Sequence, residues 1–329
     1  MQPIVADSRL QLQMPSQAEL FKALKAETGS KSRRDLALQL LARTNSRQYL
    51  DECLRVLNSP AVLATLDESH RPVLRDKCAG FYDDSKRDKA GILRESLTRL
   101  LVHIEHPDDI DLYQHGVETY HLQPVDDVAQ NLRAVALAGM APIDPALACL
   151  YAARFMGEPF TSVFNCEPAM TAIDALVAAN QRLPIYQFLL HSGESMARTG
   201  RGELTGKALE SLGEDFPPHL YEQLIEKYQA IDQPTASMGI INWVIERRAE
   251  ALYDRLESLI MDSKDVDLRR YGLVMMAAAR DSALSDRLLR LARLARFDDI
   301  QVFIEALEIC QHEERDMTLA QLRRRAGRR

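Results

Sequence analysis

The chain has 329 residues, 46% hydrophobic and 27% charged, with 41 Lys and Arg against 48 Asp and Glu for a net charge of −7. Such a length is too great for one small domain and ample for a large core, and the composition is that of a globular protein. The mild acidity argues against a dedicated nucleic-acid binder, and 6% aromatic residues with a single Trp, Trp243, argue against large base-stacking platforms.

Gly and Pro number only 14 each, too few for many strands joined by tight turns, so the composition points to helices. Residues 1–15 read as a flexible lead. Ser16 with Glu19 three positions on forms a capping box that opens the first helix. Apolar spacing then predicts helices near 31–44, 47–57, 60–68, 72–83, 88–105, 109–121, 126–140, 144–156, 168–180 and 183–191. Short breakers such as Asn58-Ser59-Pro60 and His106-Pro107 separate them, as paired antiparallel helices require. Residues 16–191 therefore read as an N-terminal helical block.

From Ser192 to Pro218 the pattern changes. Five of the 14 Gly (193, 200, 202, 206, 213) fall here with Pro217-Pro218, which reads as an irregular Gly-rich loop or hinge over 192–218. A second helical block follows over 219–322, with helices near 219–230, 234–262 (broken near Arg247 to Glu250), 265–280, 282–296, 298–311 and 315–325. Residues 323–329 are a basic tail.

One motif occurs in both blocks. Residues 108–120 and 298–310 both open on an Asp pair and carry apolar groups at matching places: Ile110/Ile300, Tyr113/Phe303, Val117/Leu307 and Tyr120/Cys310. A recurring helical unit points to stacked repeats, which work as extended recognition surfaces.

Asp265, Leu268, Arg269 and Gly272 lie in a stretch that resembles the second helix of HEAT-type repeats: a turn Asp, an aliphatic residue, Arg, then a small residue three further on. Leu74, Arg75 and Cys78 echo it, with Pro72 near the place of the turn Asp. The resemblance implies an all-α fold, a right-handed superhelix of antiparallel helix pairs (a HEAT/armadillo-like alpha-solenoid) with units of roughly 40 residues. It also implies that the Arg bridges neighbouring turns and that the small residue allows close helix packing.

Candidate chemistry is sparse. His103, His106, His115 and His121 cluster, but His115 and His121 are roughly 240° apart around a helix and do not converge on one ion, so no metal is expected. Gly200-Arg-Gly202-Glu-Leu-Thr-Gly206-Lys207 evokes a phosphate loop, yet Arg201 stands where its first Gly belongs and Ala208 where Ser or Thr belongs. The stretch instead offers Arg198, Arg201 and Lys207 as candidate contacts for an acidic partner segment. Arg280, Arg287, Arg290, Arg293 and Arg296 spiral around their helix and form no single stripe. Phe160, Phe164, Tyr186 and Phe188 read as packing where the stack changes direction.

No catalytic residue and no cofactor is expected. Cys53, Cys78, Cys149, Cys166 and Cys310 are too widely spaced for metal pairs and read as reduced thiols. With no membrane span and no secretory signal evident in the sequence, the expected setting is cytoplasmic. The expected function is a non-enzymatic protein-binding scaffold or adaptor. The alternative is a nucleic-acid-binding protein or DNA glycosylase of the HEAT-like helical type.

Overall fold

The computed structural model describes residues 15–123 and 126–327, and the chain forms two compact units, Met1–Asp144 and Pro145–Arg329. Among the described residues it is helical apart from one two-stranded ribbon. No helix among the described residues is long and apolar enough to cross a membrane.

The first unit contains α1 (Gln17–Ala26), α2 (Ser30–Arg43), α3 (Arg47–Leu57), α4 (Pro60–Leu63), α5 (Arg71–Asp83), α6 (Ile92–Ile104), α7 (Ile110–Val117) and α8 (Gln130–Met140). Between α7 and α8, β1 (Leu122–Gln123) pairs antiparallel with β2 (Asp126–Asp127), where helix was expected from residue 126. The opening capping box forms as its sequence dictates: Glu19 N–H donates to Ser16 Oγ at 3.3 Å, and Ser16 N–H to Glu19 Oε2 at 2.7 Å. It turns Leu20 and Leu24 inward. At α6, buried Asp88 accepts from the backbone N–H groups of Leu93 and Arg94, meeting two donors that the helix start leaves unpaired.

The second unit contains α9 (Pro145–Gly157), α10 (Ala169–Ala178), α11 (Leu183–His191), α12 (Gly193–Arg198), α13 (Gly202–Glu210), α14 (Pro218–Gln229), α15 (Pro234–Glu246), α16 (Tyr253–Met261), α17 (Val266–Ala278), α18 (Ser282–Leu294), α19 (Ile300–Ile309) and α20 (Arg315–Ala326). Alternate helices pack together: α13 on α15, α15 on α17 and α17 on α19, with α14 against α16 and α18 against α20. The expected break in 234–262 falls where Arg248 adopts φ +48 between α15 and α16. Most of the expected lead over 1–15 lies outside the described residues, as do Arg328 and Arg329 of the expected basic tail. Arg323, Arg324 and Arg325 belong instead to the last turn of α20.

The expected irregular loop over 192–218 is corrected by the structure. Residues 193–198 and 202–210 are helical, as α12 and α13, and lie within the second unit. The glycines that suggested a breaker are packing residues: a Cβ on Gly193 would overlap the Tyr228 hydroxyl, one on Gly202 would strike Thr235, and one on Gly206 would strike the Thr235 carbonyl. Only Gly200 of this group uses a positive φ, at +86, in the turn between the two helices.

The two copies of the repeated motif open in the same way, although α19 runs two residues longer than α7. Each starts with a 3-10 turn, Pro107–Asp109 or Phe297–Asp299, and continues into α7 or α19. Tyr113 and Phe303 are fully buried at equivalent places, as are Val117 and Leu307. The second Asp of each copy accepts from an Arg of another helix, Arg75 of α5 or Arg269 of α17. Arg75 Nη1 lies 2.7 Å from Asp109 Oδ1, and Arg269 Nη2 lies 3.2 Å from Asp299 Oδ1. Arg71 adds a second cation at Asp109. Asp265 caps α17 by accepting from the N–H groups of Asp267 and Leu268, and a Cβ on Gly272 would come within 2.5 Å of Ile260 Cγ1. Turn Asp, bridging Arg and small residue thus each have a physical task here.

Five of the ion pairs in the second unit share one interval. Arg247–Glu214, Arg255–Glu222, Arg287–Asp254 and Arg290–Glu257 are each separated by 33 residues. Lys207–Asp174 keeps the same interval, and the five pairs lie at 2.6–3.1 Å. The interval is shorter than the expected repeat because the helices are short: α14 has 12 residues and α15 has 13. Exposed pairs of this kind contribute about 0–1 kcal/mol each, so they mark register more than they supply stability.

Candidate partner-binding surface

Helices α13 and α15 cross so closely that Gly206 and Gly239 form the floor of a groove. The groove has a volume of about 570 Å³ and is walled by Glu203, Lys207, Glu210, Thr235, Met238 and Asn242. The two glycines let the helix backbones touch, and the side chains on either side of that contact wall the depression. Met238 is half-buried, Glu203 is exposed and Glu210 is partly exposed. Asn242 is fixed by accepting from the Tyr271 hydroxyl on α17. On the far side of α15, Trp243 stacks on Tyr221 with ring centroids 3.7 Å apart. The Tyr221 hydroxyl donates to the Leu209 carbonyl, and its complete burial pushes the phenol pKa well up. The groove therefore rests on a rigid base.

The three cations singled out from sequence have separate structural partners. Arg198 pairs with Glu194 one turn earlier on α12. Arg201 donates through Nε and Nη2 to the Thr161 carbonyl, holding the 158–168 connection against the start of α13. Only Lys207 reaches the groove, and it is paired with Asp174 on α10 at 2.6 Å. The groove rim offers two carboxylates, a signal hidden in sequence because Glu203 and Glu210 look like ordinary solvated helix residues.

The other candidates disperse in a similar way. Arg287 and Arg290 pair with Glu257 on α16, and Arg293 pairs with Glu314, so their charge is matched by neighbouring carboxylates. His106 faces Glu68 and His115 lies against the Tyr82 ring. Among the described residues no three His, Cys, Asp or Glu side chains are grouped to hold a metal ion. The expected packing of Phe160, Phe164, Tyr186 and Phe188 is corrected in one respect: Phe188 is buried, but Phe164 is 94% exposed on the 158–168 connection. Comparisons with protein-family models, with curated proteins and with solved structures found no match.

Proposed function

We propose that this chain is a non-enzymatic protein-binding scaffold built from HEAT-like helix pairs. Support for the architecture comes from the recurrence of ion pairs at one fixed interval together with the packing of alternate helices in the second unit. Both are what stacked helix pairs produce, since each unit touches only its neighbours. The groove over Gly206 and Gly239 is the observation that carries the functional reading. Its volume of about 570 Å³ suits insertion of a partner side chain. Its chemistry selects a segment that presents an apolar side chain to Met238 and a cation to Glu203 and Glu210. This reverses the charge expected from Arg198, Arg201 and Lys207.

Affinity capture with chemical cross-linking tests it. The wild-type chain should enrich a defined protein whose cross-links map to α13 and α15. Met238→Arg, which fills the groove with a cation, should lose that protein. A partner set unchanged in the Met238→Arg variant, or no enrichment over a control bait, would refute the reading.

A further inference from the structure

The last helix of the second unit leaves one face uncovered. Thr318, Leu319 and Leu322 of α20 are buried, and the helix packs on α18 and α19. Met317, Ala320, Gln321 and Arg324 are exposed, Met317 at 53%. Steps of three, four and seven positions from Met317 place them in one row along the helix. The flanking arginines are occupied: Arg323 donates to Glu308, and Arg325 to the carbonyls of Arg293 and Ala295. Arg324 has neither an ion pair nor a hydrogen bond among the described residues. The row thus carries an exposed methionine at one end, an unmet cation at the other and a small alanine between them.

The α13–α15 groove offers the complement. Glu203 and Glu210 stand two turns apart on the α13 wall, and Thr235 and Asn242 two turns apart on the α15 wall. At 1.5 Å per residue each wall runs about 10 Å, the length of the row from Met317 to Arg324. Neither glutamate has an ion pair among the described residues, whereas Lys207 between them is matched by Asp174. Met238 stands between Thr235 and Asn242 as an apolar contact. A helix that enters a groove through side chains at i, i+3, i+4 and i+7 is a general mode of recognition.

Helix α20 does not reach this groove within its own chain. Packing runs from α13 through α15 and α17 to α19, and only then to α20. Each step between helix axes spans about 8–10 Å. To enter its own groove, α20 would have to leave α18 and α19 and expose Leu319 and Leu322.

We propose that α20 of a second copy occupies the α13–α15 groove, so that the chain associates with itself head to tail. This rests on the reading of the groove as a protein-binding site and names the segment that enters it. Arg324 meets one of the two glutamates, while Ala320 and Met317 cover Met238 and the glycine floor. The two surfaces differ, so the contact is heterologous: each added copy brings a free groove and a free α20. One helix row buries less than a standard interface, so the association is weak and grows with concentration.

Sedimentation equilibrium of the full chain tests it, at loadings up to about 1 mM so that millimolar affinities register. The average mass of the wild type should rise above that of one chain as loading increases. Arg324→Glu should stay monomeric, and so should the double variant Glu203→Lys with Glu210→Lys, because each sets like charges against one another. Mixed in equal amounts, these two should form a heterodimer and nothing larger, since only one groove and one α20 then match. If either charge variant does not fold, Met317→Asp and Met238→Arg decide the matter by the same readout, and both should be monomeric. The proposal is overturned if the wild type stays monomeric, if its association survives these substitutions, or if the mixture of folded charge variants does not pair. A monomeric wild type whose captured protein is still lost on Met238→Arg sinks self-association alone and leaves the groove reading standing. A monomeric wild type with a partner set unchanged by Met238→Arg sinks both.

Discussion

Gly206 on α13 and Gly239 on α15 meet backbone to backbone: a Cβ on Gly239 would overlap the Gly206 carbonyl oxygen. Neither residue is needed for an unusual φ. Hydrogen is the only substituent that fits at the crossing. Gly239→Ala should therefore force the helices apart and destabilise the second unit by about 1–3 kcal/mol, the cost of overpacking. Urea denaturation reads it as a lower midpoint at unchanged slope. Gly80, exposed within α5, is the matched control, since a Cβ there meets nothing within 4 Å. Gly80→Ala should raise stability by about 0.5–1 kcal/mol through helix propensity. Equal responses at the two positions would show that the crossing is looser than described.

Removing the carboxylate at the first motif should cost more than removing its counterpart. Asp109 has no solvent exposure and is gripped by Arg71 and Arg75, whereas Asp299 is 15% exposed and has Arg269. Asp109→Ala leaves two partly buried cations facing a void and should lose about 3 kcal/mol, near the low end for breaking a buried pair. Asp299→Ala should lose distinctly less. Parallel denaturation of the two variants gives the order directly.

The thiols should divide sharply in native labelling. Cys53, Cys78, Cys166 and Cys310 are buried, and Cys149 is partly exposed. Burial pushes Cys53 and Cys78 up to about 12, so at pH 8 they carry essentially no reactive thiolate. A thiol reagent at that pH should modify Cys149 first and the other four only after denaturant is added. Rapid native modification of Cys53 or Cys78 would contradict their burial.

Alkaline pH should weaken the fold through the same two thiols. In the unfolded chain they ionise near 9.0, whereas in the folded chain they hold their protons to about 12. Over that window the folded state binds more protons, so the stabilisation is complete below about pH 9 and declines as the pH climbs toward 12. The urea midpoint should drop across this range, and Cys53→Ala with Cys78→Ala should make the decline shallower. The buried phenol of Tyr221, whose pKa is also raised, will keep some slope in the double variant.

What the sequence disclosed depended on whether a signal was local. Ser16 and Glu19 satisfy each other within one turn, so the α1 start was legible. The motifs at Asp109 and Asp299 repeat a local pattern, and their shared turn-helix geometry followed from it. The 192–218 stretch was misread because Gly, counted locally, signals a break. The reason for Gly202 and Gly206 lies beyond the next helix, at Thr235 on α15. The same holds for the groove. Glu203 and Glu210 carry no distinctive neighbours in the chain, and their significance comes only from what packs opposite them.

The constant spacing of the ion pairs bears on how the second unit yields to strain. Because Arg255 of α16 answers to Glu222 of α14 and Arg287 of α18 to Asp254 of α16, each charge in this series reaches only the next even-numbered helix. Loosening at α20 would therefore release Arg293 and Arg323 from Glu314 and Glu308 while leaving the pairs around α16 intact. Strain that loosens one helix therefore need not spread to the next, as in a zip fastener parted one tooth at a time, and hydrogen exchange should protect α14, α16, α18 and α20 to separate extents and not as one block.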